Sequence, residues 1–246
     1  MTFIQIISRR RLTVPLIALL VTSAVGVSLV GARTVWTGRW NSLYLVWNLF
    51  LAWLPLAFAL NACRLDALAQ TRGWKFPACA LAWLLFFPNA PYIFTDLIHL
   101  TARHRATVWT DLVLIALFAV TGLVLGFLSL YLMQSLVAAR RGRVAGWVFV
   151  AIAAGLGSLG IYIGRFLRWN SWDALISPLD FTRDLGDWVA RMLTHRHEVV
   201  FPILYAAFVF LAYAMLYALT HLGPVEPAQP GSELNSDFPR HDPSDS

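Results

Sequence analysis

Charge is scarce in this chain: Asp, Glu, Lys and Arg make up 13% of its 246 residues, against about a quarter in a soluble globular domain, while apolar residues make up 59%. That balance excludes an ordinary water-soluble domain. Cysteine is nearly absent as well. Cys63 and Cys79 each stand near the end of an apolar run, where they read as small buried hydrophobes rather than as a disulfide framework or a thiolate metal site. A Gly-rich phosphate loop, a Gly-x-Ser-x-Gly elbow and a His-x-x-x-His pair are all missing. His195, His197 and Glu198 resemble part of a metal site but lack any recognised metalloenzyme spacing, so neither a metal nor a cofactor is expected. No Lys or Glu lies deep in an apolar run, which counts against ion-coupled transport. The net charge of +6 comes from short basic clusters at the ends of apolar runs, with no basic patch interleaved with aromatics, so nucleic acid is not an expected partner.

What is present in abundance is long apolar runs. About 20 apolar residues cross roughly 30 Å of hydrocarbon, and six segments reach or approach that length: 12–32, 43–61, 76–95, 109–134, 144–165 and 199–220. The expected fold is therefore all-α, a polytopic transmembrane helix bundle of about six spans forming one domain over residues 1–222. The first run follows Arg9, Arg10 and Arg11 and resembles a signal peptide, but its apolar stretch is too long for one and it reads as an uncleaved anchor. Placing the N-terminus in the cytoplasm puts Arg9, Arg10, Arg11, Arg64, Arg72, Lys75, Arg140, Arg141 and Arg143 in short inner segments, against Arg33, Arg39, Arg103 and Arg105 in short outer ones. Both termini then face the cytoplasm, and residues 223–246, rich in Pro, Ser and Asp, form a disordered cytoplasmic tail. Between spans five and six, Trp188, Val189, Met192 and Leu193 recur at helical spacing among charged residues, which predicts an amphipathic helix on the outer membrane surface. The two glycine series, Gly122 with Gly126 and Gly157 with Gly160 and Gly164, mark smooth helix faces for close packing.

Two polar signatures interrupt this pattern, and the topology puts both on the outer side. The first is Pro88-Asn89-Ala90-Pro91 in span three. Each proline lacks an N–H and would strip the carbonyl four residues earlier, Leu84 or Phe87, of its helical partner. Such groups at membrane depth must be buried in protein or line a wet cavity. The segment thus reads either as a kink patched by the Asn89 amide or as a ligand notch built from Asn89 and exposed carbonyls. Beyond it, Asp96 and His99 share a face if helix resumes; they form either a general base with its orienting carboxylate or an exposed ion pair, with His104 and Asp111 following. The second signature is Arg165-Phe-Leu-Arg168-Trp169-Asn170-Ser171-Trp172-Asp173. Two guanidinium forks three residues apart suit phosphate or carboxylate recognition. The alternative is that they snorkel to the interface and pair with Asp173 or Asp96, Trp169 and Trp172 joining an aromatic belt.

The runs Phe-Pro-Asn-Ala-Pro-Tyr-Ile-Phe-Thr-Asp-Leu-Ile-His, residues 87–99, and Gly-Ile-Tyr-Ile-Gly-Arg-Phe-Leu-Arg-Trp-Asn-Ser-Trp-Asp, residues 160–173, resemble a bacterial membrane-protein family catalogued as domain of unknown function 1361, over roughly residues 40–220. The resemblance implies a polytopic protein of the bacterial inner membrane and implies no reaction. The functional expectation rests on the residues: a polar site open to the extracytoplasmic face, built from Asn89, Asp96, His99, Arg165, Arg168, Asn170 and Asp173, that binds or processes an anionic lipid headgroup or lipid-linked substrate. Asp96 and His99 are its catalytic candidates. The alternative is a non-enzymatic assembly or transport component with a proline hinge in span three.

Overall fold

In the computed structural model, which describes residues 12–38, 40, 42–71, 73–102, 108–166, 169, 176–194 and 197–220, the chain is a bundle of helices, and no strand occurs among the described residues. The elements are α1 (Thr13–Thr37), α2 (Leu43–Ala67), α3 (Lys75–Phe86), the single turn α4 (Asn89–Tyr92), a 3-10 helix (Ile93–Ala102), α5 (Val108–Arg141), α6 (Arg143–Phe166), α7 (Pro178–Thr194) and α8 (His197–Thr220). Six segments are long and apolar enough to cross a membrane: Thr13–Thr37, Leu43–Ala67, Lys75–Ile98, Val108–Arg141, Arg143–Phe166 and Val199–Thr220. This is a polytopic membrane protein, in agreement with the six apolar runs.

The helices outrun those runs at several ends. Span two continues to Ala67, past Asn61, Arg64 and Asp66, and span four continues to Arg141. Polar residues end an apolar stretch, but hydrogen bonding carries a helix on into the headgroup layer. At 1.5 Å per residue the 34 residues of α5 measure about 51 Å, well beyond the roughly 30 Å of hydrocarbon.

α5 is the axis of the bundle. It packs against α1, α2, α4, the 3-10 helix and α6, and buries Leu114, Ile115, Phe118, Leu125, Leu130 and Leu132. α8 leans on α6. The opposite faces of the peripheral helices expose Leu20, Val21 and Val25 on α1 and Leu204, Leu211 and Met215 on α8, which a bilayer would cover. Because the solvent there is itself apolar, polar side chains supply the specific links between helices: Trp83 donates to Ser129 Oγ across α3 and α5 at 3.1 Å, and Tyr213 to Gln134 across α8 and α5. At the end of the bundle away from Asp96, Arg140 reaches Asp66 at 2.6 Å.

The amphipathic segment between spans five and six is helical, as its pattern predicts. α7 opens with Pro178, whose missing N–H costs nothing in a first turn. Asp180, Arg183, Asp184 and Asp187 are exposed on one side, while Trp188 is 3% exposed and packs on Tyr162 of α6 at 5.0 Å between ring centroids. The tail beyond Thr220 and the Arg9–Arg11 cluster lie outside the described residues.

Candidate functional site

The break in span three falls where the prolines demand it. α3 ends at Phe86, one turn of helix resumes at Asn89, and the chain then tightens into the 3-10 helix. Two backbone bonds carry the chain across: Ala90 N–H donates to Phe87 O at 3.2 Å and Tyr92 N–H to Pro88 O at 3.0 Å. Asn89 turns its amide back onto Phe86 O at 3.0 Å. The patch thus serves Phe86, one residue away from the carbonyl its spacing suggested, because the i to i+3 bond to Phe87 already satisfies that one.

Both glycine series close on this break. A methyl group on Gly122 of α5 would sit 2.7 Å from Ala90 O, and one on Gly126 would sit 3.1 Å from Ala90 Cβ. From the other side, a methyl on Gly157 of α6 would meet Phe87 at 2.9 Å and one on Gly160 would meet Pro88 Cγ at 2.6 Å. Tyr205 of α8 adds a hydrogen bond, donating its hydroxyl to Pro91 O at 2.7 Å. The interrupted backbone is therefore buried in protein on both sides, which is how a bilayer tolerates it.

One turn further on, Asp96 is 1% exposed and both its oxygens are engaged. Arg165 of α6 donates Nη1–H to Oδ1 at 3.0 Å, and Asn48 of α2 donates Nδ2–H to Oδ2 at 3.0 Å. Arg165 also donates to Tyr92 Oη at 3.3 Å and to Thr95 O at 3.1 Å, with its guanidinium 5.6 Å from the Tyr92 ring centre. Spans two, three and five are thus tied by one carboxylate. Such a pair costs desolvation to form, but removing one partner strands a buried charge, at about 3–5 kcal/mol. A second pair repeats the device at the same end: Arg33 of α1 meets Asp111 of α5 at 2.5 Å, with Asp111 1% exposed, and donates to Ser42 Oγ at 2.6 Å.

Beside this cluster α2 and α3 diverge from α6, which touches α3 only lightly, and leave a cavity of about 450 Å³. That volume lies within the ordinary range for ligand sites, about 300–1,000 Å³. Its walls are apolar, with Leu81, Leu84 and Leu85 from α3 and Leu156, Leu159 and Ile163 from α6. Its polar groups, Asn48, Asn89 and Tyr92, lie toward the Asp96 end, where Trp47, Trp169 and Trp188 ring it and Leu185 of α7 adds to its wall. Trp169 is held in turn, donating Nε1–H to Asp184 at 2.9 Å. None of the described residues lining the cavity is charged.

Of the residues singled out in the sequence, the structure brings Asn89, Asp96 and Arg165 to this end of the bundle, Asn89 in the cavity wall and the other two in the ion pair behind it. Arg168, Asn170, Asp173, His104 and His195 lie outside the described residues, as does the side chain of His99. Arg165 meets Asp96, the pairing that the snorkelling alternative offered. Asp96 is buried rather than exposed. Asn48, Tyr92 and the Arg33–Asp111 pair did not stand out in the sequence. The signal for the first and last was a lone amide and a lone carboxylate in otherwise apolar runs. Among the described residues no group of three metal-ligating side chains occurs.

A family model described as a protein of unknown function (DUF1361) matches residues 47–212, which include every residue of this cluster except Arg33 and Ser42. No curated protein matches the chain, and no solved structure does.

Proposed function

The chain belongs to this family of unknown function, and on that premise we propose that it binds a lipid or lipid-linked substrate in the cavity between α2, α3 and α6. The apolar chain would lie against the leucines and the polar head at the Asp96 end, open to the extracytoplasmic face. The observation that carries this reading is the cavity itself: an apolar slot about 450 Å³ in volume at membrane depth, polar and tryptophan-ringed at one end only. An amphiphile has that same division. From Leu81 to Tyr92 is about 16 Å at 1.5 Å per residue, so the slot descends well into the hydrocarbon layer.

The anionic part of the reading has less support. It rested on two arginine forks, and Arg165 spends its fork on Asp96, Tyr92 and Thr95. A hinge in span three is also disfavoured, since glycines of two helices grip the break. The orientation is supported by the cations near the short connections: among the described residues Arg64, Lys75, Arg140, Arg141 and Arg143 gather at the far end, against Arg33 and Arg165 at the Asp96 end.

The test is native mass spectrometry of the full chain released from lipid. The parent should retain lipid adducts, and Leu159→Trp, which fills the slot from α6, should lose them at unchanged thermal stability. Equal retention by both proteins would place the lipid on the outer surface and contradict the proposal.

A further inference from the structure

Among the described residues that line the cavity, one buried side-chain group lacks a hydrogen-bond partner, and it is a donor. Trp188 is 3% exposed, lines the cavity, and has a buried indole N–H with no acceptor among the described residues. An indole N–H is a donor only, and a buried one normally finds a partner. Tyr92, also in the wall, accepts from Arg165 at 3.3 Å, and its own hydroxyl hydrogen finds no acceptor among the described residues. No charged side chain among the described residues lines the slot, so none of these offers an anion a counter-ion there.

We infer that the cavity recognises an uncharged acceptor, the ester carbonyl of an acyl lipid, which accepts from Trp188 Nε1–H with the Tyr92 hydroxyl as the second donor. This rests on the lipid-binding reading and narrows it. The depth agrees: tryptophan sits at the bilayer interface, and the ester groups of a lipid lie between its headgroup and its chains, where Leu185 and Trp188 of α7 line the slot. Leaving a buried donor unmade is costly, whereas a ligand carbonyl would satisfy it without displacing any existing bond.

The experiment offers the full-length protein, in detergent micelles, equal amounts of diacyl and dialkyl phosphatidylethanolamine, a headgroup with no net charge, with the same chain length. Bound lipid is then counted by native mass spectrometry. A single hydrogen bond predicts a preference for the ester lipid of about two- to tenfold, and Trp188→Phe should bring the ratio toward one. Equal retention of ester and ether lipids by the parent would overturn the carbonyl assignment while leaving lipid binding intact. An ester preference that survives Trp188→Phe would overturn the role of Trp188. If neither lipid is retained by the parent, or both are retained equally by Leu159→Trp, the underlying lipid-site reading fails, and the inference with it.

Discussion

Arg165 and Asp96 stand 69 residues apart in sequence and 3.0 Å apart in space, joining the end of span five to the end of span three through a carboxylate that is 2% exposed. Both motifs that interrupt the apolar pattern thus meet at one atom pair. The arginine there is a clamp: its fork is distributed over a carboxylate, a phenol and a backbone carbonyl.

The clamp predicts an asymmetric mutational response. Arg165→Met should lower stability by about 3–5 kcal/mol because Asp96 is left buried and uncompensated. Arg165→Met combined with Asp96→Asn should recover more than half of that loss. Arg165→Lys should also destabilise, since an ammonium cannot serve three divergent acceptors in the way a planar fork does. Thermal unfolding of the detergent-solubilised proteins measures all three, and a double variant no better than Arg165→Met would remove the pair as the cause.

The glycine grip predicts position-specific costs along α6. Gly160→Ala should destabilise by about 1–3 kcal/mol, because its methyl would fall 2.6 Å from a ring carbon of Pro88 that cannot rotate away. Gly155→Ala, on the same helix with nothing within 4 Å, should be neutral or slightly stabilising through helix propensity. Equal effects at the two positions in the same unfolding assay would mean that the break is not held by this contact.

The topology predicts opposite labelling at two exposed sites. In a variant in which the buried Cys63 and Cys79 are replaced, a cysteine at Ile176, 75% exposed, should react with an impermeant maleimide in intact cells. A cysteine at Trp74, 76% exposed at the other end of the bundle, should react only after lysis. The reverse pattern would invert the protein and move the cavity mouth to the cytoplasm.

Legibility in the sequence followed how local each physical cause is. The spans were readable because charge is excluded from hydrocarbon, and the break because Pro88 and Pro91 forbid two helical bonds wherever they stand. Span ends were less so: Asn61, Arg64 and Asp66 end the apolar run while hydrogen bonding continues to Ala67. What the glycines receive could not be read, since a smooth face admits any neighbour, and here the neighbour is the broken turn of span three rather than a straight helix. The Arg165–Asp96 pair was legible as one of two alternatives, but Asn48 as the second partner of that carboxylate was not, because helix ends that meet in the fold bring distant residues together. Beyond the notch that Asn89 offered, the apolar length of the cavity had no sequence signal, for it arises where α3 and α6 separate while both still pack on neighbours.

The central claim, a lipid held between α2, α3 and α6, is tested most directly by an experimental structure of the full chain in lipid nanodiscs at a resolution that shows acyl chains. The account predicts continuous tubular density in the slot, running from beside Trp188 down past Leu159 to Leu81, with its polar end at Tyr92 and Asn48. A slot closed by the surrounding side chains, or filled only by ordered water while lipid density lines the outer faces of α1 and α8, would contradict it.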